Sequence, residues 1–568
     1  MEFRLGATAF IVVFATYLFL GGIGVTDPGN NVVADAPYNQ LARGILKGHL
    51  YLDRPAPEFL QHLPNPYDPD ANAAARDLFH GRLSDLSYYQ NRVYMYFGVA
   101  PALVVFIPWH LLTGAWLLQW VAVLVLCVAA LLVHFSLFSA VRARAFPTAP
   151  PWTSAAAILV LGFASYAPLL LARADMWEVP LALDYLGVAI ALRCLWGAAE
   201  HPATCCRWLA GASAALGVAF ASRPTVLPNG ALLLLPFLLL PAVRRRPAAW
   251  LAAGLPVALC GLGVAAYNAA RFGSPFEFGV RYTIAGAYYL RPHSFDARFI
   301  PTNLRSYLWH GVGWTRHFPF VLRSADTRLA GDYAGTEHVS GALADAPILW
   351  MGAFTVFWAL RRPVAVSVRL LAAAAGWVAF SSLALLAFFV GANGRYELEF
   401  APALALLAAL GIPAAEALCS PAWLRPLRWA GAAALLFSCA VMLLYSIQRA
   451  ASDHNTYGVA CLFHGDTAGA EHEFGTATFL APGNPRSRIG MGFLRQSQGQ
   501  LPEAHALFAG LVRDYPAVAS NHLNLANLEA QEGRYGEAAA EYQRALSLDP
   551  ANAAAQAGLA AARRQPAK

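Results

Sequence analysis

The residues able to do chemistry fall into a few short stretches. Asp35 opens VADAPYNQLARG (Val33–Gly44), with Tyr38 and Ala42 following on the same helical face. A carboxylate just outside a long apolar segment is placed to act as general base towards an acceptor hydroxyl. It is equally placed to cap a helix that carries Pro37 in its first turn, and from spacing alone the cap is the simpler reading. Further polar groups gather in ARADMWE (Arg173, Asp175, Glu178), SRPT (Arg223), YNAARFGSPFEFGVRY (Tyr267, Asn268, Arg271, Arg281, Tyr282) and GRYELEF (Arg395, Tyr396, Glu397, Glu399). The planar fork of arginine matches phosphate or pyrophosphate, and neighbouring carboxylates suit acceptor activation or cation binding. One arginine at such a place can simply snorkel to the interface. Several stretches converging on one side of an apolar chain point to a site, because ionisable groups at membrane depth are costly.

Other motifs carry less. PNPYDP (Pro64–Pro69) reads as turn-rich scaffold, and YYQNRVYMYFGVAPAL (Tyr88–Leu103) as an aromatic interfacial belt or the lining of a lipid-head groove. His293, His310, His317 and His338 lack a close i, i+4 pair, so no metal ligand is assigned and a divalent cation stays open. No Walker A or dinucleotide fingerprint is present, which suits a lipid-linked donor better than a soluble nucleotide.

These stretches must be positioned by apolar elements. The chain has 568 residues, 58% hydrophobic and only 13% charged, with mean hydropathy +0.46. That excludes an ordinary soluble enzyme, a disordered chain and a disulfide-stapled module. The net charge is +7 and the positive charge is almost all arginine, which basic inside loops of a membrane protein account for better than nucleic acid. About eleven spans of roughly 20 residues are predicted. They lie near 7–25, 115–138, 152–172, 178–198, 208–222, 225–243, 248–268, 346–361, 368–391, 399–417 and 429–448. Arg142, Arg144, Arg244–Arg246, Arg361, Arg362, Arg369, Arg425 and Arg428 all fall on one side if the N-terminus is cytoplasmic. Loops 26–97 and 271–345 and the C-terminal tail then lie outside, as in an inner-membrane protein. This parity makes Gly98–Gly114 an interfacial or re-entrant helix rather than half of a tight hairpin. Seven of the eight cysteines fall in spans or inside loops, and only Cys461 lies outside, so no external disulfide is expected.

Past residue 450 the long apolar runs stop. Gly499 and Gly533, Ala504 and Ala538, Phe508 and Tyr542, and Pro516 and Pro550 recur at a 34-residue offset. This spacing resembles tetratricopeptide (TPR) repeats, whose stacked helices form concave surfaces that bind peptide or protein. The bland alternative is a helical cap.

With these motifs in place, residues 1–450 resemble the GT-C superfamily of membrane glycosyltransferases, in the branch of protein O-mannosyltransferases and the lipid A aminoarabinose transferase. VADAPYNQLARGILKGHLYLD matches the start of the family's first external loop, with Asp35 at its acidic position, although Ala36 replaces the usual following Glu. YFGVAPALVVFIPWHLLTG occupies the place of a juxtamembrane helix. GRYELEFAPALALLAALG is similar to the late segment that approaches the lipid phosphate. The resemblance implies an all-α polytopic bundle with a 451–568 TPR-like domain, transferring a sugar from a polyprenyl-phosphate donor. Asp35 would be the base. Arg271, Arg281, Arg395 and Tyr396 would hold the phosphate, with Arg173, Asp175, Glu178 and Tyr38 in second rank. A polysaccharide polymerase or ligase, and a non-enzymatic transporter or assembly scaffold, are the competing classes.

Overall fold

The computed structural model describes residues 2–24, 33–72, 85–284, 294–322, 333–361 and 364–565. His293, Arg362 and the stretch 26–32 of the first loop lie outside them. The chain is mostly helical. It divides into two compact units, residues 1–314 with 321–449, and residues 315–320 with 450–568.

In the first unit, eight helices among the described residues are long and apolar enough to cross a membrane. Three predicted spans are broken instead. Over 152–172 the helix Trp152–Phe163 ends before Tyr166, whose φ is +67°, and Ala167–Leu171 restarts with Pro168 in its first turn. Over 225–243 the chain runs as a 3-10 stretch, Pro224–Leu234, and then as the short helices Leu235–Leu239 and Pro241–Arg244. Pro228 and Pro236 each remove a backbone donor there. Over 346–361 a 3-10 turn, Pro347–Met351, precedes Gly352–Leu360. Hydropathy registers the apolar run but not these interruptions. Ala102–Thr113 is a short apolar helix, and Gly114 ends it in the left-handed region at φ +72°.

Small residues let the long helices approach closely. A Cβ on Gly187 would sit 3.0 Å from both Ala215 O and Ala219 Cβ, which joins Glu178–Glu200 to Cys205–Ser222. A Cβ on Gly217 would meet Cys260 Sγ at 2.7 Å, which brings Pro247–Phe272 against the same helix. The outer face of that last helix carries exposed Leu251, Leu255, Leu259 and Leu262.

The unit is not purely α. Leu86–Tyr89 and Arg92–Met95 form an antiparallel hairpin with Thr283–Ile284 on its far edge. Gln90 and Asn91 both have positive φ, as the two-residue turn of a hairpin requires. The first half of the aromatic run, Tyr88–Met95, is therefore hairpin. Its alternation packs Tyr89 against Phe272 and Tyr282. Elsewhere Gly335–Glu337 pairs in parallel with Gly391–Asn393.

The second unit contains three helical hairpins and a last helix, Ala553–Ala562, where the sequence showed two repeats. The first hairpin borrows the end of the long helix Pro421–Phe463, which hides it from a search for polar repeats. Gly465, Gly499 and Gly533 turn each hairpin at φ +77°, +75° and +79°. Ala470, Ala504 and Ala538 are fully buried where paired helices touch, beside Phe474, Phe508 and Tyr542. Each ring fills the space over a small residue: a Cβ on Gly458 or Gly492 would stand 2.7 or 2.6 Å from Phe474 or Phe508. Phe508→Ala should therefore cost about 3–5 kcal/mol. Hydrogen exchange on the full chain should show loosening centred on residues 485–531, and unchanged protection there would contradict this packing.

Candidate active site

The segment GRYELEF is organised by backbone first. Gly391–Asn393 lies in register with Gly335–Glu337, placing Asn393 beside Glu337. A 3-10 turn, Gly394–Glu399, follows, with the Asn393 side chain accepting from the Arg395 N–H. Only glycine fits at 394, since a Cβ there would lie 2.0 Å from the His338 carbonyl oxygen.

This geometry joins two of the sequence-predicted stretches. Asn393 Nδ2 donates to Glu337 Oε2 at 2.6 Å, and Arg173 donates to Glu337 Oε1 at 3.2 Å. The guanidinium carbons of Arg173 and Arg395 lie 4.6 and 5.8 Å from the centre of the Trp177 ring. The Trp177 indole N–H donates to Asp85 at 2.6 Å, and Asp175 accepts from Gln119 at 2.8 Å. Below them Glu178 and Arg449, both fully buried, form an ion pair at 3.6 Å. The site is a compensated network of arginines and carboxylates.

Burial pushes the Glu337 carboxyl up, but the fields of Arg395, Arg173 and Arg449 outweigh it and hold the group at about 2. Burial also works against charge on Arg395, yet Tyr396, Glu337, Glu178 and Asp85 raise its affinity for the proton well above the ordinary value. Glu397 behaves oppositely. Burial raises its carboxyl, which accepts the Ser340 N–H at 3.0 Å, well above the usual range.

A second group surrounds Arg271, which is 4% exposed. It donates to the Met95 carbonyl at 2.6 Å and to Asn268 Oδ1 at 2.7 Å, and lies 3.9 Å from the centre of the Tyr267 ring. Its Nε has no hydrogen-bond partner, and neither has the Tyr267 hydroxyl. Both residues line a pocket with Tyr96, Val264, Asn268 and Phe278. The acceptors of Arg271 are thus neutral, whereas Arg173, Arg223 and Arg449 each meet a carboxylate. Arg281 is largely exposed and pairs with Glu277 at 3.7 Å. Tyr396 lies under Arg223, whose guanidinium carbon is 4.7 Å from the ring centre and whose Nη2 meets Glu399 at 3.0 Å.

Asp35 stands apart from the Glu337 network. It sits in a 3-10 turn, Val33–Asp35, half-exposed, 3.4 Å from Arg43. It does not cap the next helix: the N-cap of Pro37–Leu46 is Ala36, with no side-chain bond, and it is the Asp35 backbone carbonyl that Gln40 engages. Pro37 takes the first turn as expected from its fixed φ. Tyr38 is fully buried and stacks on Phe106.

Sequence reasoning missed Asp85, Glu337 and Arg449. Asp85 precedes the hairpin Leu86–Met95 in the left-handed region at φ +69°, a turn that the aromatic sequence did not announce. Glu337 and Arg449 meet their partners across more than 150 residues of chain, and spacing holds no trace of that. Among the described residues, no group of three His, Cys, Asp or Glu side chains is arranged to hold a metal.

Residues 526–564 match the family described as TPR repeat. The chain has TPR-like helical repeats. No curated protein sequence matches the chain. Among solved structures, the crystal structure of the APC/C hetero-tetramer Cut9–Hcn1 is similar at 12% identity over 89% of this chain and 91% of that one. Its TM-score of 0.19 is too low to carry an argument about fold or function.

The ionised form of Glu337 is favoured in the folded chain, so its contribution to stability is present above its usual value of 4.5 and is lost as pH falls towards about 2. The thermal midpoint of Glu337→Gln should fall less steeply than the parent's across that window. Parallel curves would show that the network does not hold the charge.

Proposed function

We propose that this chain is a membrane glycosyltransferase that moves a sugar from a polyprenyl-phosphate-linked donor to an acceptor hydroxyl on the external face of a bacterial inner membrane. The observation that carries the reading is Arg271, a buried guanidinium held by neutral acceptors beside an unengaged tyrosine hydroxyl, at a narrow cleft that must widen to admit the phosphate. Such a group is prepared to take up a phosphate charge, and the arginines already matched to carboxylates are less so. The membrane assignment is supported by eight long apolar helices and by leucines on the outer face of Pro247–Phe272. The arginine clusters between spans support a cytoplasmic N-terminus.

In the reaction, the acceptor oxygen attacks the anomeric carbon of the donor. The bond from that carbon to the phosphate oxygen breaks, and the lipid phosphate leaves with the bonding pair. Asp35, half-exposed at the start of its loop, takes the acceptor's proton. Arg271 meets the charge that develops on the departing phosphate. Tyr396 and Arg395 belong to the framework that shapes the donor side. TPR repeats commonly mediate protein–protein interaction, so a protein acceptor or partner on the second unit fits the same reading.

The test is transfer in membranes, with a panel of polyprenyl-phosphate sugars, by the parent and by Asp35→Asn. The isosteric amide should lower turnover by about 10²–10⁴-fold while leaving the folded yield unchanged. Transfer at the parental rate would remove Asp35 as base. Absence of transfer from every donor by the parent would favour an assembly scaffold.

A further inference from the structure

A second polar cavity shares no lining residue with the Arg271 pocket, and the function proposed above does not use it. It is a narrow cleft among the helices, whose polar lining comes from His134, Asp184, Thr225, Asn229, Ser382 and Glu399. Its open centre admits water-sized groups and not a sugar ring. Asp184 projects from the helix Glu178–Glu200, is 5% exposed, and neither carboxylate oxygen has a hydrogen-bond partner. His134, 1% exposed, lies on Gln119–Ala145. Its Nδ1 is 3.0 Å from the Ala130 carbonyl oxygen, which can only accept, so Nδ1 carries a proton, and in the neutral ring Nε2 is a lone pair. Nε2 has no partner either. Asn229 Oδ1 already accepts from Ser381 at 2.9 Å.

The charges in and beside the cleft do not balance. Ionised, Asp184 and Glu399 would supply two negative charges. The guanidinium facing them is that of Arg223, 3.0 Å from Glu399, with the field of Asp184 also reaching it. Tyr185 and Tyr38, the other titratable groups near Asp184, are neutral phenols at ordinary pH. With Asp184 ionised and His134 neutral, the cleft has an excess of acceptors and is one positive charge short. A buried uncompensated carboxylate is expensive unless a cation or proton neutralises it.

We propose that this cleft binds one small monovalent cation, of sodium or hydronium size, on the Asp184 carboxylate. Neutral oxygens of Thr225, Asn229 and Ser382 are at hand to complete its shell. Bound there, the cation leaves Arg223 to Glu399 and Tyr396. Without it, two carboxylates compete for one guanidinium.

The test uses the purified full chain in detergent and follows its thermal midpoint in two titrations. One replaces choline with Na⁺ at fixed pH and ionic strength. The other lowers pH in sodium-free buffer. A sodium site raises the parent's midpoint in the first titration, and a hydronium or proton site raises it only in the second. In either case Asp184→Asn should lose that dependence and Asp184→Glu should keep it. Identical titrations for the parent and Asp184→Asn, or a parent that responds to neither ion, would overturn the proposal. If Asp184→Asn fails to fold, the double variant Asn229→Ala/Ser382→Ala supplies the readout. A shift of its sodium or pH midpoint supports the cation, and an unshifted midpoint refutes it.

Discussion

The cost of charge among apolar helices governs the first unit. A guanidinium or carboxylate removed from water must find its complement or destabilise the fold. Glu178 and Arg449 show the constraint in its barest form, both fully buried and set against each other from helices far apart in the chain. Such a pair adds little net stability over an apolar replacement, but breaking it would strand a charge. It therefore acts as a condition on assembly: the last long helix must dock with Arg449 facing the start of Glu178–Glu200.

The rest of the network follows from the same condition. Once Glu178–Glu200 is placed, ARADMWE is fixed above it. Arg173 then requires Glu337, Glu337 is presented by the parallel pairing with Gly391–Asn393, and that pairing sets the register of Arg395. Gly394 permits the chain to pass the His338 carbonyl at a distance no side chain could tolerate. Against this matched framework Arg271 stands out, because its acceptors are a carbonyl and an amide.

Much of this organisation was legible in the sequence wherever it depends on period or composition. The apolar runs, the arginine-bearing stretches and the 34-residue recurrence of small and aromatic residues all left such signals. Interruptions within apolar runs were not visible as such, since Pro168, Pro228 and Pro236 are tolerated in many membrane helices. The hairpin at Leu86–Met95 was masked by its aromatic content, which reads equally as an interfacial belt. Glu337 and Arg449 were invisible for a different reason: a charge that matters through a distant partner looks locally like any other. Asp35 was legible as a residue, and its exposure beside Arg43 is a tertiary fact that spacing could not supply.

The proposed donor site depends on Arg271, whose acceptors are neutral, rather than on Arg173, which is matched to Glu337. Binding of a polyprenyl phosphate to the purified chain measures this directly, with Arg271→Met compared against Arg173→Met. The account predicts that the first variant folds and loses the lipid, while the second is less stable but binds it at near-parental affinity once folded. Retained binding in Arg271→Met, or equal loss in both variants, would contradict it.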